Sequence, residues 1–120
     1  MKKFAFAGML SLLIGPAHAA FFNGNQIYDW LQKPATRTPA TTFIVGVADN
    51  ESTHYAFALL QGNARATAFF CVPEGVTAGQ LSDIVLKYFS DHPSTRHFDA
   101  VLLVRAALLE PYPCSTNPSR

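Results

Sequence analysis

An all-α, compact single-domain bundle of about four to five helices, tied by one disulfide, is the fold this 120-residue sequence predicts. Three observations carry that expectation. Leu81, Ile84, Val85, Tyr88 and Phe89 recur at the i, i+3, i+4, i+7, i+8 spacing of one helical face. The run from Ala100 to Glu110 is apolar apart from Arg105 and is fenced by Asp99 before it and Pro111 and Pro113 after it. Cys71 and Cys114 are the only two cysteines, and they follow an export signal that sends them to an oxidising compartment.

The export signal occupies residues 1–19. Lys2 and Lys3 form its basic start, Phe4 to Ile14 its apolar centre, and Ala17-His18-Ala19 its small-x-small end, so cleavage is expected after Ala19. The roughly 100 residues that remain make one domain with one core. Losing Lys2 and Lys3 takes the basic residues from 9 to 7 against 8 acidic ones. That balance excludes the basic surplus with which a nucleic-acid binder neutralises phosphates. With 49% hydrophobic and 14% charged residues, an ordered core is expected. No later run approaches the ~20 apolar residues a membrane helix needs, and no cysteine stands at the cleavage point to carry a lipid anchor. The mature product is therefore expected to be soluble and periplasmic.

The first helix opens at Asn23-Gly24-Asn25, where Asn caps, and Ile27, Tyr28, Trp30 and Leu31 give it an apolar side before Lys33-Pro34 stops it. Thr38-Pro39 has the order of a cap followed by proline at the first helical position, and predicts where the second helix begins. The stretch Thr41 to Val47 reads as a strand by its β-branched residues. Over a longer window Ile44, Val47, Ala48, Tyr55, Ala58 and Leu59 line one helical face interrupted by Glu51, and that period favours helix. Gly46 within it predicts close approach of another helix. Gln61-Gly62-Asn63 breaks the pattern, and Ala64 to Phe70 reads as loop, brief strand or frayed helix.

Pro73-Glu74-Gly75 is a turn, and Thr77 with Gln80 fits a capping box that opens the third helix, which His92-Pro93 ends. Asp99 is expected to cap the last helix, Ala100 to Glu110. That helix is apolar on nearly every side, so it is central or shared with a partner. Residues 115–120 are expected to form a disordered tail. A bond between Cys71 and Cys114 would tie the start of the third helix to the end of the last.

No catalytic or metal motif emerges, and no cofactor is expected. His92 and His97 flank a proline and lack a carboxylate at helical spacing, so they do not form a zinc face. A free thiol with His54, His92 or His97 as base would require Cys71 or Cys114 to be unpaired, and neither lies in a nucleophile motif. Asp49, Asn50 and Glu51 read as a wet helix face. The mature phenylalanines belong to the core, with Phe69 and Phe70 the exceptions if the loop before them is open to solvent.

Phe70-Cys71-Val72-Pro73-Glu74-Gly75-Val76-Thr77, Gln80-Leu81, Lys87-Tyr88-Phe89 and His92-Pro93 form a recognisable series. It continues through Ala100-x-Leu102-x-Val104 and Ala107-Leu108 to Pro111-Tyr112-Pro113-Cys114. In these residues, over roughly 22 to 114, the chain resembles the Rap/Tai family, periplasmic immunity proteins that neutralise peptidoglycan amidase toxins delivered by type VI secretion. Phe43-x-x-Gly46-x-x-Asp49 resembles the family's aromatic-x-x-Gly-x-x-Asp helix and supports the helical choice there.

The resemblance implies an all-helical domain, often a homodimer, that inhibits by binding and has no catalytic activity of its own. Its partner would be a cysteine/histidine amidase whose substrate groove is blocked by a loop between helices. Many relatives carry a second cysteine pair in the first two helices, where this chain offers Trp30, Leu31 and Phe43. Two polar turns flanked by helix could do the blocking: one offering Gln61, Asn63 and Arg65, the other Ser94 and Arg96. The alternative reading is a stand-alone periplasmic helical protein, structural or chaperone-like, with no toxin partner.

Overall fold

Residue type alone would make Thr41 to Val47 a strand, yet in the computed structural model this stretch lies within the longest helix, the spine of the protein. The structure describes residues 20–114, so the export signal and the expected tail at 115–120 lie outside it. Four α-helices are present among the described residues: α1 (Gly24–Gln32), α2 (Pro34–Leu60), α3 (Ala78–Asp91) and α4 (Ala100–Leu109), with a short 3-10 turn at Pro93–Thr95. No strand occurs there beyond an isolated bridge between Asn23 and Asp99. Each helix touches the other three.

α1 begins with a full capping box, in which the Asn23 side chain accepts from the Gln26 N–H and the Gln26 side chain accepts from the Asn23 N–H. Two more donors of its first turn, the N–H groups of Gly24 and Asn25, reach the carbonyls of Phe98 and Arg96 across the bundle. At its other end, Thr36 Oγ1 and Arg37 Nη1 donate to the carbonyls of Trp30 and Leu31. A one-residue break at Lys33 thus joins two helices with few backbone groups left idle.

α2 starts five residues earlier than Thr38-Pro39 predicts. Pro34 takes the first helical position, and Pro39 sits inside the helix. Proline is tolerated there because the lost bond would reach only Ala35, an exposed first-turn residue whose carbonyl water can serve. At 27 residues α2 is about 40 Å long. Its buried face is Ala40, Ile44, Val47, Ala48 and Glu51, and between Ser52 and Phe69 no residue is buried. The apolar pattern at Tyr55, Ala58 and Leu59 therefore continues past the point where the other helices stop. The end is a Schellman turn: Gly62 N–H bonds the Leu59 carbonyl, Asn63 N–H bonds Ala58, and Gly62 adopts φ +81°, a region glycine enters without cost.

The core is continuous: Ile27 and Leu31 of α1, Ile44 of α2, Val85 and Phe89 of α3, and Val104 and Leu108 of α4 are almost wholly buried. α3 carries the predicted Thr77–Gln80 capping box, and its buried Ser82 donates to Thr41 on α2. The expected close-approach glycine proves to be a different one. No atom lies within 4 Å of where a Cβ on Gly46 would stand, whereas one on Gly24 would collide with Leu103 and come within 2.8 Å of the Arg96 carbonyl. Asp99 occupies the cap position of α4 without making a side-chain cap, and the Ala100 N–H instead donates to the Phe22 carbonyl.

The candidate partner-binding surface

Where α2 leaves the bundle it becomes an arm. Gln61, Asn63 and Arg65 are exposed at its tip, and Leu60 (86%) and Phe69 (60%) stand in solvent beside them. From Ser52 to Phe69 the only formally charged side chain is Arg65. The tip folds on itself: Asn63 Oδ1 accepts from the Arg65 N–H at 3.2 Å, and the Ala66 N–H returns to the Asn63 carbonyl. The stretch from Ala64 to Phe70, open to three readings in the sequence, is a loop.

The base of this loop is fixed at three points. Glu51 is 4% exposed; one carboxylate oxygen accepts from the Phe69 N–H at 2.6 Å, and the other meets Arg105 Nη2 of α4 at 3.0 Å. The Arg105 guanidinium also lies over the Phe69 ring, 5.1 Å from its centroid. One residue on, Phe70 is buried in the core, so the two phenylalanines split, one outward and one inward. Then Cys71 N–H donates to the Tyr112 carbonyl at 2.8 Å, and the Cys71–Cys114 disulfide locks the strand of loop to the end of α4. With both cysteines oxidised, the free-thiol reading has no thiol to use.

Glu51 thus corrects the wet-face expectation. Asp49 and Asn50 are exposed as expected, but Glu51 faces inward. Its partner is 54 positions away, so no local spacing reveals the pair. A signal was nevertheless present: Glu51 is the one charge interrupting an apolar face of α2, and Arg105 the one charge in apolar α4. Two lone opposite charges on buried faces call for each other, because neither can be buried alone. Arg105 Nε is buried without an acceptor among the described residues, so the pair rests on a single guanidinium contact.

The second polar turn is built differently. Ser94 is exposed, but the Arg96 guanidinium donates to the carbonyls of Phe89 and Ser90 at the end of α3 and stacks 3.8 Å from the Tyr28 ring. It braces the bundle internally. The first turn follows α2 and the second follows α3.

An open cleft between α3 and α4 gathers Lys87, Tyr88, Asp91, His92 and Glu110. Its charges are a solvated i,i+4 pair: the hydrogen bond from Lys87 holds the Asp91 carboxyl below its usual range, and the same bond raises Lys87. His92 Nδ1 is tied to the Tyr88 carbonyl. Among the described residues no three His, Cys, Asp or Glu side chains converge as metal ligands, and no helix is long and apolar enough to cross a membrane.

Residues 23–114 match the sequence model of a family described as Rap1a immunity proteins. No curated protein and no solved structure matches the chain.

Proposed function

The chain belongs to the Rap1a immunity protein family, and we propose that, after cleavage behind Ala19, it works in the periplasm by binding and inhibiting a peptidoglycan amidase delivered by type VI secretion. Residues 20–114 form the inhibitory domain in this reading. It acts by occupying a groove and performs no chemistry itself. The observation that carries the reading, beyond the family match, is the arm: an exposed polar tip on a base clamped by Glu51, by buried Phe70 and by the disulfide.

A loop that blocks an enzyme groove works best when its shape exists before binding, because each rotamer-rich side chain ordered on contact costs about 0.5 to 1.5 kcal/mol. Here the backbone on both sides of the tip is already held, by the Schellman turn before it and the three-point clamp after it. Gln61, Asn63 and Arg65 are assigned the contact. The Asn63 amide nitrogen and the Arg65 guanidinium are donors, suited to carbonyls and carboxylates lining a peptide-binding groove. Leu60 and Phe69 would add apolar contact beside them.

The test is rescue from intoxication. Directing type VI peptidoglycan amidases, one at a time, to the periplasm of a susceptible host should lyse it, and co-expression of this protein with its own signal should restore growth against its cognate amidase. Replacing Gln61, Asn63 and Arg65 together by alanine should abolish rescue with the helical content unchanged. Lysis that proceeds regardless of the wild-type protein would reject the proposal.

A further inference from the structure

The mature chain begins in a patch of exposed phenylalanine. Phe21 is 92% exposed, Phe98 51% and Phe22 36%, and Val101 and Leu102 of α4 stand in solvent with them. The backbone brings these residues together: the Gly24 N–H donates to the Phe98 carbonyl and the Ala100 N–H to the Phe22 carbonyl, each at 3.0 Å, and Asn23 bridges Asp99. The Phe22 ring is fixed by edge-on contacts with Trp30 and Phe43, at 5.2 and 5.7 Å between centroids. One shallow cleft here is lined by Ala20, Phe21, Phe22, Phe43 and Val101, and another by His97, Phe98 and Leu102. With a whole phenylalanine side chain at about 200 Å², the three rings alone expose roughly 350 Å². That is already within the ~300 to 600 Å² of the largest apolar patch on a typical monomer, before Val101 and Leu102 are added.

We infer that this patch docks the mature protein on a phospholipid surface, with Phe21 and Phe98 entering the boundary between headgroups and acyl chains. Two features select lipid. The apolar run Phe4 to Ile14 is the part that an export signal places in the bilayer, and it ends six residues before Ala20. Six residues reach at most about 20 Å, so this end of the domain is the one held against the membrane during export. The second feature is charge. The patch side chains carry none, with exposed His97 and half-buried Asp99 at the rim. Cleavage after Ala19 adds the α-amino group of Ala20, a cation beside exposed rings that suits a lipid phosphate. Binding then follows the apolar area buried plus that one attraction, so it is weak and reversible. The inference rests on cleavage after Ala19 and is independent of the inhibitor reading. Phe43, at the patch, and Leu60, at the arm, stand 17 residues apart on α2, about 25 Å, so the two contacts are separate.

Flotation of the mature chain with vesicles of phosphatidylethanolamine and phosphatidylglycerol tests it, the first residue being checked as Ala20 by intact mass. The wild type should float. Phe21→Ser, at a position almost free of contacts, should lower the partition several-fold, and Phe21→Ser with Phe98→Ser at least about tenfold, with helical content unchanged. Leu60→Ser, which removes a side chain 86% exposed at the arm, should leave flotation as it is. A wild type that stays in the soluble fraction, or a Leu60→Ser variant that loses flotation as fully as the double variant, would overturn the assignment. So would a chain that ignores vesicles and instead forms a dimer in sedimentation that the double variant dissolves. An intact mass placing the start elsewhere than Ala20 would overturn it through the cleavage, leaving the inhibitor reading to its own test.

Discussion

Removing Glu51 should cost more than any other single change to a charged side chain here, and the structure gives the size. Glu51→Ala takes the acceptor from the Phe69 N–H and the counter-ion from Arg105 at once. Truncating one partner of a fully buried ion pair costs about 3 to 5 kcal/mol. The Arg105 side chain is 26% exposed against 5% for Glu51, so water relieves part of the loss and about 2 to 3 kcal/mol is expected. With a urea slope of about 1 kcal/mol per molar, suited to a chain of this size, the unfolding midpoint should fall by about 2 to 3 M. Glu51→Gln, which keeps an acceptor for Phe69, should lose about half as much. The decisive variant is the double one. Glu51→Leu with Arg105→Met replaces both charges by apolar groups of similar shape and should return to within about 1 kcal/mol of the wild type, since neither charge is then left unpaired. Urea melts of the four-member cycle measure this. Single effects that simply add, to within about 0.5 kcal/mol, would refute the latch and leave the loop without its polar clamp.

The two helical glycines should respond in opposite directions. Gly24→Ala drives a methyl into Leu103 and the Arg96 carbonyl and should destabilise by about 1 to 3 kcal/mol, whereas Gly46→Ala meets open space and should raise monomer stability by up to about 1 kcal/mol, both read from thermal melts. Replacing Cys71 and Cys114 together by serine opens a loop with a sequence separation of 43 and should cost up to about 4 kcal/mol, checked by urea denaturation against the oxidised wild type. Lowered by its Lys87 hydrogen bond, the Asp91 carboxyl contributes stability present above its unfolded pKa and lost as pH falls through its folded one. A carbon-detected NMR titration should show Lys87→Met returning it to the ordinary carboxylate range.

What could be read from the chain alone was whatever is local. The Thr77–Gln80 box, the α3 face and the proline fence after α4 each depend on residues within a few positions of one another, and each stands where those residues put it. The failures were contacts at a distance. Pro39 looked like a helix start because Thr38 precedes it, but helix can begin at Pro34 once Thr36 and Arg37 satisfy the end of α1. Asp99 looked like a cap because its type is right, yet it holds the cap position without a side-chain hydrogen bond, and the contact the sequence hides is that of the Ala100 N–H with the Phe22 carbonyl. The periodic face at Tyr55, Ala58 and Leu59 looked like core because a helical pattern does not say where its packing partners end. The loop tip was legible as a polar break. Its clamp was not, since Glu51, Phe69 and Arg105 meet only in the folded chain.

The measurement closest to the central claim is a titration of the purified mature protein into the type VI peptidoglycan amidase whose toxicity it relieves, during hydrolysis of intact peptidoglycan. Activity should fall linearly to zero near one inhibitor per enzyme, and a Gly-Ser segment of equal length in place of residues 61–65 should remove the inhibition while leaving the urea midpoint unchanged. Undiminished hydrolysis at tenfold molar excess, or full inhibition by the Gly-Ser variant, would contradict it.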